Sequence, residues 1–318
     1  MILKTIIALS VIFNLSGLNF LSAKLDNAIY KDEIGDNGSA HASYYDLTLP
    51  EIHQNPEVNK KVSKPNISAY NYLLADLDSG TILYKNNPNS KVPIASTTKI
   101  MTAIVSLENY KTSDVVTISE NAAYQAGADS YLRVGEEITV GELLRCLLIK
   151  SGNDSAYALA EHMSINNDSI LEFVAKMNEK AKMLGMKNTE YRDPAGLDVT
   201  GYSSAYDLFL ATRQALKNEL FREIIKTVDY TATNTTKTIF HELKTSNRLV
   251  GEYQYPGAIG VKTGYMPEAG HCLVSAAKRN GHTLVGVVLH TFSDTAPASA
   301  DESRKLLDWG FANTIWHN

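Results

Sequence analysis

The stretch HCLVSAAKRNGHTLVGVVLH occupies residues 271–290. Two runs rich in apolar and β-branched residues, His271 to Ala277 and Thr283 to His290, flank the dipeptide Asn280-Gly281. Asn-Gly between such runs favours a tight β-hairpin, because both turn positions need a positive φ. The sequence therefore predicts an antiparallel strand pair near the C-terminus.

A second hairpin is predicted near the other end of the chain. Tyr70 to Asp76 and Thr81 to Lys85 are strand-like, and the turn residues Asp78-Ser79-Gly80 separate them. This composition is typical of two antiparallel strands joined by a short turn. We expect ordered structure to begin at Ala69.

The residues between the two hairpins are predicted to be mainly helical. Apolar side chains at the spacing of one helix face occur twice, in Val140, Leu143, Leu144, Leu147 and Leu148, and in Ile170, Phe173, Val174, Met177, Ala181 and Leu184. Ser169 and Glu172 predict a capping box at the start of the second helix, and Gly185 predicts its end. Ser204 to Leu216 and Asp301 to Phe311 are further helix candidates.

Strands at both ends with helices between them predict an α+β fold. We expect one antiparallel sheet from about residues 67–95 and 230–318, with a helical subdomain of about residues 96–229 inserted into it. A cleft between two such parts is a natural place for a functional site.

The composition excludes several classes of protein. The 318 residues are 44% apolar and 20% charged, with a net charge of -5, which is unlike collagen, a disordered chain or a basic nucleic-acid-binding protein. Cys146 and Cys272 are too few for a disulfide scaffold, and we interpret both as unpaired core thiols. The histidines are dispersed, so no metal site is predicted.

The N-terminal residues 1–23 have the pattern of a signal peptide. Lys4 precedes an apolar run from Thr5 to Leu21, and Ala23 is a small residue at which cleavage would fall. An uncleaved membrane anchor and a buried first element are the alternatives. The polar residues 24–66 predict a flexible spacer. The protein is therefore expected outside the cytoplasmic membrane.

The first chemical motif is Ser96-Thr97-Thr98-Lys99. An apolar helix pattern follows it, so Ser96 is placed at a helix N-terminus and Lys99 one turn later on the same face. A lysine accepts a proton from serine only when its amine is neutral. Burial and a second nearby cation both lower the pKa of the amine and so favour the neutral form. Ser275 to Lys278 also matches S-x-x-K, but in a strand residues three apart point to opposite faces.

The second motif is Ser151-Gly152-Asn153, which separates the helix ending at Lys150 from a helix predicted at Asp154 to His162. By itself it is more typical of a capped polar turn between two helices than of a functional site.

The third motif is Lys262-Thr263-Gly264. On an edge strand, Gly264 lets a substrate backbone approach, while Lys262 and Thr263 suit a carboxylate. An ordinary exposed strand end is the alternative.

Together the three motifs resemble those of the penicillin-binding proteins and serine β-lactamases. The surrounding sequence is most similar to the low-molecular-weight D-alanyl-D-alanine carboxypeptidases, from about Ala69 to Phe311. The resemblance is carried by segments around the motifs and by two others, residues 93–103, 151–156, 193–198, 260–265 and 304–311. It implies a β-lactamase/penicillin-binding-protein-like transpeptidase fold, with residues 67–318 as the catalytic domain.

The resemblance also implies a mechanism on peptidoglycan stem peptides ending in D-Ala-D-Ala. Ser96 would be the nucleophile and Lys99 its general base, and the backbone N–H groups of Ser96 and Tyr265 would form the oxyanion hole. Ser151 would relay a proton to the leaving D-alanine. The residues that would bind the substrate are Asn153, Lys262, Thr263, Gly264 and Tyr265. β-Lactams would acylate the same serine, and no metal or organic cofactor is required.

The sequence also departs from the family. Met266 stands where members often have threonine, and only seven residues follow Phe311, so no C-terminal β-domain or C-terminal membrane helix is expected. Arg248 is the nearest candidate for an additional arginine beside the substrate carboxylate.

Two other functions remain open at this point. A β-lactamase is disfavoured because no glutamate between Asn153 and Lys262 lies in an E-x-x-L-N setting. A non-catalytic penicillin-sensing module usually has degraded motifs, whereas all three are intact here.

Overall fold

The computed structural model describes residues 55–163 and 168–317. Its strands are β1 Glu57–Val58, β2 Ala69–Asp76, β3 Ile82–Asn86, β4 Val115–Thr117, β5 Glu137–Thr139, β6 Asp229–Thr233, β7 Phe240–Lys244, β8 Ala258–Met266, β9 Gly270–Arg279, β10 His282–Thr291 and β11 Thr314–Ile315. Its α-helices are α1 Lys99–Asn109, α2 Glu120–Ala123, α3 Val140–Arg145, α4 Asn153–Glu161, α5 Ser169–Met183, α6 Ala205–Ala215, α7 Glu219–Ile225 and α8 Ala298–Asn313.

The central sheet joins the two ends of the chain. Its strands are antiparallel and follow the order β3-β2-β10-β9-β8. The predicted hairpins β2–β3 and β9–β10 are both confirmed, and Asn280 and Gly281 have φ angles of 49° and 87° in the second turn. The predicted α+β fold is therefore confirmed, and β8, which carries the third motif, is an edge strand.

Helices cover both faces of this sheet. On one face, α8 packs Leu306 and Leu307 against Leu74 and Leu284, which are all buried. Gly310 permits this close approach, since a Cβ there would lie 2.5 Å from a methyl of Leu74. The helical part covers the other face with a larger apolar core that includes α1, α4 and α6.

The predicted helix through residues 140–150 is continuous, but its last turn is wider than an α-helix. α3 leads into a π-helical turn at Cys146–Lys150, and the chain then reverses at Ser151, which has the left-handed φ of 70°. α4 begins two residues later. The second motif therefore lies at a sharp junction between two buried helices. Its predicted position between helices is confirmed.

The predicted capping box at Ser169 is wrong. α5 has Asp168 as its N-cap residue, and no side-chain cap bond is formed there. Ser169 is the first helical residue and is buried, while the N–H of Glu172 bonds to the carbonyl of Asp168. The predicted helix end is confirmed at Gly185, whose φ is 77°.

Two regions differ from the predicted division into spacer, sheet and helical parts. β1, within the predicted spacer 24–66, pairs with β11 beside the C-terminus. β6 and β7, partly within the predicted sheet part, form a separate two-stranded sheet. The predicted signal at residues 1–23 and most of the spacer lie outside the described residues. No helix in the described part of the chain is long and apolar enough to cross a membrane.

Candidate active site

Ser96 lies on a 3₁₀ turn, Ala95–Thr98, that leads directly into α1. Ala95 has a left-handed φ of 46°, and the hydroxyl of Thr97 donates to the carbonyl of Ile94 at 2.7 Å. Gly264 of β8 lies against this turn, because a Cβ on Gly264 would be 3.2 Å from the nitrogens of Ser96 and Thr97. The absence of a side chain at Gly264 therefore brings the first and third motifs together.

The Lys99 side chain is fully buried and faces the Ser96 hydroxyl. Its Nζ lies 2.8 Å from Ser96 Oγ, 2.7 Å from Asn153 Oδ1 and 2.9 Å from the carbonyl oxygen of Ala195. Burial lowers the pKa of Lys99 to about 7, although the charges of Asp193 and Asp154 act in the opposite direction. The predicted placement of Ser96 and Lys99 on one face is confirmed, with the amine within proton-transfer distance of the hydroxyl.

Asn153 is fixed from both sides at the start of α4. Its Nδ2 donates to the carbonyl of Ala126 at 2.6 Å, and its backbone N–H donates to the carbonyl of Ala128 at 2.7 Å. These bonds leave its amide oxygen directed at Lys99. The loop that supplies the two carbonyls thereby sets the orientation of an active-site amide.

A buried carboxyl group anchors the same loop. Asp154 accepts hydrogen bonds from the backbone N–H groups of Ser130 and Leu132 at 2.9 and 3.2 Å. Burial, followed by a hydrogen bond with Asp129, raises the pKa of Asp154 to about 7. The residue after Asn153 is thus part of the scaffold that holds it.

The Lys99 contact with Ala195 depends on a compact turn. One oxygen of Asp193 accepts from the N–H groups of Ala195 and Gly196 at 2.7 and 2.6 Å, and the other accepts from that of Asp198 at 2.7 Å. Gly196 has a φ of 80° and lies against the carbonyl of Ala95. Segment 193–198, noted above only for its resemblance, closes one side of the Ser96–Lys99 pair.

A second buried lysine lies on β8. The Nζ of Lys262 donates to Ser151 Oγ at 2.8 Å and to the carbonyl of Thr263 at 3.0 Å. Burial, and then the charge of Lys99, hold the pKa of Lys262 well below its usual range. The structure therefore brings Ser151 of the second motif and Lys262 of the third into direct contact.

The outer residues of the third motif lie at the rim of the site. Thr263 Oγ1 is 2.7 Å from Ser246 Oγ, in a hydrogen bond that either hydroxyl can donate. Tyr265 is half exposed, and its ring stacks on His271 with 4.3 Å between the centroids. The guanidinium of Arg248 donates to the carboxylate of Glu252.

Sequence reasoning missed three contributors to this site: the carbonyl of Ala195, the carboxyl group of Asp154 and the hydroxyl of Ser246. Asp154 directly follows a motif, and Asp-Pro-Ala-Gly at residues 193–196 is a turn signal that could have pointed to the Ala195 carbonyl. Ser246 has no such signal, because only the tertiary fold brings it to Thr263. In the part of the chain that the structure describes, no cluster of three or more His, Cys, Asp or Glu side chains could hold a metal.

The group within proton-transfer distance of Ser96 is an amine, an arrangement typical of serine enzymes that use a serine–lysine pair. The family model for D-alanyl-D-alanine carboxypeptidases, peptidase family S11, matches residues 58–293. The chain belongs to this family of serine peptidases.

Individual relatives agree with this assignment. The chain is 40% identical over 266 residues to the D-alanyl-D-alanine carboxypeptidase DacF of Bacillus subtilis, covering 81% of this chain and 66% of that relative. It is 37% identical to the D-alanyl-D-alanine carboxypeptidase of a Streptomyces strain, K15, covering 79% and 90% of the two chains. The crystal structure of the Streptomyces K15 DD-transpeptidase superimposes with a TM-score of 0.74 at 37% identity, covering 79% of this chain and all of that one. The fold expected from the resemblance is therefore confirmed.

Proposed function

We propose that the protein removes the terminal D-alanine from peptidoglycan stem peptides through an acyl-enzyme on Ser96. The observation that carries this proposal is the fully buried Lys99 amine, 2.8 Å from the Ser96 hydroxyl and with its pKa lowered to about 7. An amine of this kind is substantially neutral at neutral pH and can take the serine proton.

Acylation begins when Ser96 Oγ attacks the carbonyl of the penultimate D-alanine. The hydroxyl proton moves to Lys99 across the 2.8 Å contact, and the carbonyl oxygen becomes an oxyanion. The backbone N–H groups of Ser96 and Tyr265 stabilise that charge. The close approach of Gly264 to the Ser96 turn supports this assignment, because it brings the backbone of Tyr265, the next residue, close to that of Ser96.

Collapse of the intermediate breaks the C–N bond and needs a proton on the leaving amine. Ser151 relays to this amine the proton that Lys99 took from Ser96, and Lys262 Nζ, which donates to the Ser151 hydroxyl at 2.8 Å, holds that hydroxyl in place. The C-terminal carboxylate of the substrate binds at Thr263, and its charge favours the protonated form of Lys262. A charged Lys262 in turn keeps Lys99 neutral, because two ammonium groups in one buried site repel each other.

Deacylation completes the cycle. Water attacks the ester carbonyl, Ser96 regains its proton, and the stem peptide leaves one D-alanine shorter. A β-lactam acylates Ser96 in the same way, but its leaving group stays attached, so release is slow. Every step uses side chains and backbone groups of this chain, without a cofactor.

The direct test measures D-alanine release from diacetyl-Lys-D-Ala-D-Ala and labelling by a fluorescent penicillin. Ser96→Ala removes the nucleophile, and Lys99→Met removes the base, so both variants are expected to lose both activities while the circular dichroism spectrum stays unchanged. Labelling of the unmodified protein without D-alanine release would instead favour a penicillin sensor.

The β-lactamase alternative has one structural argument against it. Both carboxylate oxygens of Asp193, close to Lys99, already accept backbone hydrogen bonds. Three of the about four acceptor sites of this carboxylate are therefore occupied, which disfavours its use to activate a deacylating water. Rapid turnover of penicillin, rather than a long-lived label, would support the alternative. A second candidate function is transpeptidation, in which the acyl group on Ser96 is transferred to an amine instead of to water. A similar solved structure, the Streptomyces K15 enzyme, is named a DD-transpeptidase.

The substrate also implies a location. Peptidoglycan lies outside the cytoplasmic membrane, so we place the enzyme in the cell wall or periplasm, exported by residues 1–23 and either released or tethered there. Mass spectrometry of the N-terminus of the mature protein distinguishes cleavage after Ala23 from an uncleaved anchor.

A further inference from the structure

A buried histidine and a buried glutamate form a polar pair that the proposed reaction does not use. His241 lies on β7 with its side chain 2% exposed, and Glu136, directly before β5, has a fully buried side chain. The ring Nε2 of His241 is 2.7 Å from Glu136 Oε1, and the ring Nδ1 is 3.0 Å from the carbonyl oxygen of Ser130. Both ring nitrogens therefore face oxygen atoms.

These two contacts determine how many protons the pair holds. The carbonyl oxygen of Ser130 is an acceptor, so Nδ1 of His241 carries a hydrogen. A further hydrogen lies between Nε2 and the carboxyl group of Glu136, because a contact of 2.7 Å between a nitrogen and an oxygen requires a donor. An imidazolium with a carboxylate and an imidazole with a carboxylic acid both satisfy this geometry, and the pair is neutral as a whole in either form.

Ser130 belongs to the loop that orients Asn153. We call residues 126–132 the Asn153 loop, because two of its carbonyls accept hydrogen bonds from the side chain and the backbone N–H of Asn153. The N–H of Ser130 donates to Asp154 at 2.9 Å, while the carbonyl of Ser130 accepts from His241. The loop is therefore held from two directions.

The two attachments have different consequences. Asp154 follows Asn153 in α4, so its hydrogen bonds keep the loop and α4 together as one unit. His241 belongs to β7, so its hydrogen bond connects that unit to a different part of the fold. The same strand leads to Ser246, whose hydroxyl is 2.7 Å from that of Thr263 in the third motif. His241 thus joins the loop behind the second motif to the strand that reaches the third.

Glu136 holds the ring and the end of the loop together. Its Oε2 accepts from the N–H of Arg133 at 3.0 Å, while its Oε1 faces the ring of His241. Its backbone carbonyl accepts from the N–H of Ile118 at 2.8 Å. The carboxyl group therefore keeps the ring in the orientation that directs Nδ1 at Ser130.

Stability alone does not account for a pair of this kind. Two ionisable groups lose their hydration when they are buried, and apolar residues of the same volume are often at least as stabilising. A buried hydrogen bond, in contrast, has a defined direction and specifies one position of the group that it holds. The pair therefore suits a role in placing the loop.

We propose that His241 is a positioning residue for acylation. With Glu136 it holds the Asn153 loop where the Asn153 amide oxygen is 2.7 Å from Lys99 Nζ. A displaced loop would let this amide turn away and would change the alignment of the amine with the Ser96 hydroxyl. The inference rests on the proposed function, because that function makes Lys99 the base for Ser96.

Two substitutions of His241 separate its two hydrogen bonds. The amide nitrogen of asparagine matches the position of Nδ1 and that of glutamine matches Nε2, so His241→Asn keeps the bond to Ser130 and His241→Gln keeps the bond to Glu136. We expect His241→Gln to slow penicillin labelling by about tenfold, whereas His241→Asn should retain most of the rate. Each variant is the control for the other, because both replace the ring by an amide and lose one hydrogen bond.

The measured quantity is the maximal rate constant of acylation, taken from the dependence of labelling on penicillin concentration. Loss of folded protein lowers the amount of protein labelled, whereas a misplaced loop lowers the rate constant of the folded molecules. Equal rate constants for the two variants would overturn the inference.

Glu136→Gln and Glu136→Leu give a second comparison, which decides the matter if the His241 variants do not fold. An amide can donate to Nε2 of a neutral ring and accept from the N–H of Arg133, so Glu136→Gln should preserve the rate constant of acylation. Glu136→Leu loses both contacts and should lower it. A rate constant that is the same in these two variants would also contradict the positioning role.

Failure of the proposed function would be visible separately. Labelling that survives Ser96→Ala, or labelling of the unmodified protein without D-alanine release, would contradict the proposed function. The comparison of His241→Asn with His241→Gln concerns acylation alone and is read from labelling, without the peptide substrate.

Discussion

Burial of the Lys99 amine makes serine chemistry possible at neutral pH. An ordinary lysine with a pKa of 10.5 is neutral in about 1 molecule in 3000 at pH 7, whereas a pKa of about 7 makes about half of the molecules neutral. The polar contacts of this amine, to a hydroxyl, an amide oxygen and a carbonyl oxygen, are uncharged. Among residues 55–163 and 168–317, no direct ion pair with Lys99 therefore offsets the effect of burial.

The pH dependence of acylation follows from this pKa. The pKa is lowered, so the active neutral form is gained as pH rises through about 7. We expect the second-order rate of penicillin labelling to rise roughly tenfold per pH unit below that point and to level off above it. Stopped-flow labelling between pH 5 and 9 measures the profile. A flat profile, or a rate that declines from pH 7 to 8, would show that Lys99 is not the base.

Contacts between site residues could be predicted from the sequence only where the two residues are close together in the chain. Ser96 and Lys99 are one helical turn apart, so their contact follows from helix geometry. Ser151 and Lys262 meet across 111 positions, and the family resemblance indicated only that both belong to one active site. Burial of both amines is a property of the assembled core and has no local sequence signal.

Among the elements, the turn at residues 193–198 contacts Lys99, the proposed base, from outside the three motifs. Asp193→Ala removes the acceptor for three backbone N–H groups, and each unsatisfied group is unfavourable in a buried turn. We expect a loss of about 1–3 kcal/mol in the free energy of unfolding and a slower penicillin labelling, because the Ala195 carbonyl loses its fixed position beside Lys99. Urea unfolding and labelling rates measure the two effects.

Asp198→Ala provides a control within the same turn. The Asp198 carboxylate is solvent-exposed, and its hydrogen bonds within the described residues are local, to Thr200. We expect the Asp198→Ala variant to be labelled by penicillin at nearly the same rate as the unmodified protein. If the two variants behaved alike, the turn would have no specific role in holding Lys99.

Strand β8 reaches the Ser96 turn only because Gly264 has no side chain. A Cβ there would lie 2.9 Å from the carbonyl oxygen of Ile94 and 3.2 Å from the Ser96 nitrogen, so Gly264→Ala must move the strand or the turn. We expect labelling to slow by on the order of 100-fold, with a stability loss of about 1–3 kcal/mol. Gly201→Ala, whose Cβ would meet its nearest neighbour at 3.3 Å, is the control, and equal rates for both variants would contradict the prediction.

Local sequence signals predicted a secondary-structure element correctly where the residue types allow essentially one backbone conformation. Asn280 and Gly281 both need positive φ, so the β9–β10 hairpin was determined locally. The start of α5 was not, because Asp168 and Ser169 are adjacent candidates for the N-cap, and packing that buries Ser169 selects the first of them. The β6–β7 pair was missed because each strand contributes one fully buried apolar residue to the core, Ala232 and Leu243, which is too few to give an alternating apolar pattern.

For the whole molecule, the two ends of the described chain are joined to each other. β1 pairs with β11, the N–H of Asn59 bonds to the carbonyl of Asn313 at 2.9 Å, and the indole of Trp309 donates to the carbonyl of Ser63 at 2.9 Å. These contacts hold residues 57–66 along α8, although their polar composition predicted a flexible spacer. Composition cannot reveal such an attachment, because its partners are at the opposite end of the sequence.

This attachment predicts different stabilities for two N-terminal truncations. A chain that starts at residue 55 keeps β1 and its bonds to the C-terminal segment, whereas a chain that starts at residue 67 loses them. If the net loss is about 2 kcal/mol, Tm falls by about 4–8 °C in a domain of this size. The active-site contacts are on the far side of the central sheet from α8, so penicillin labelling at 25 °C should be equal in both chains. Differential scanning calorimetry of the two proteins decides the matter, and equal Tm values would mean that residues 57–66 contribute nothing to the folded domain.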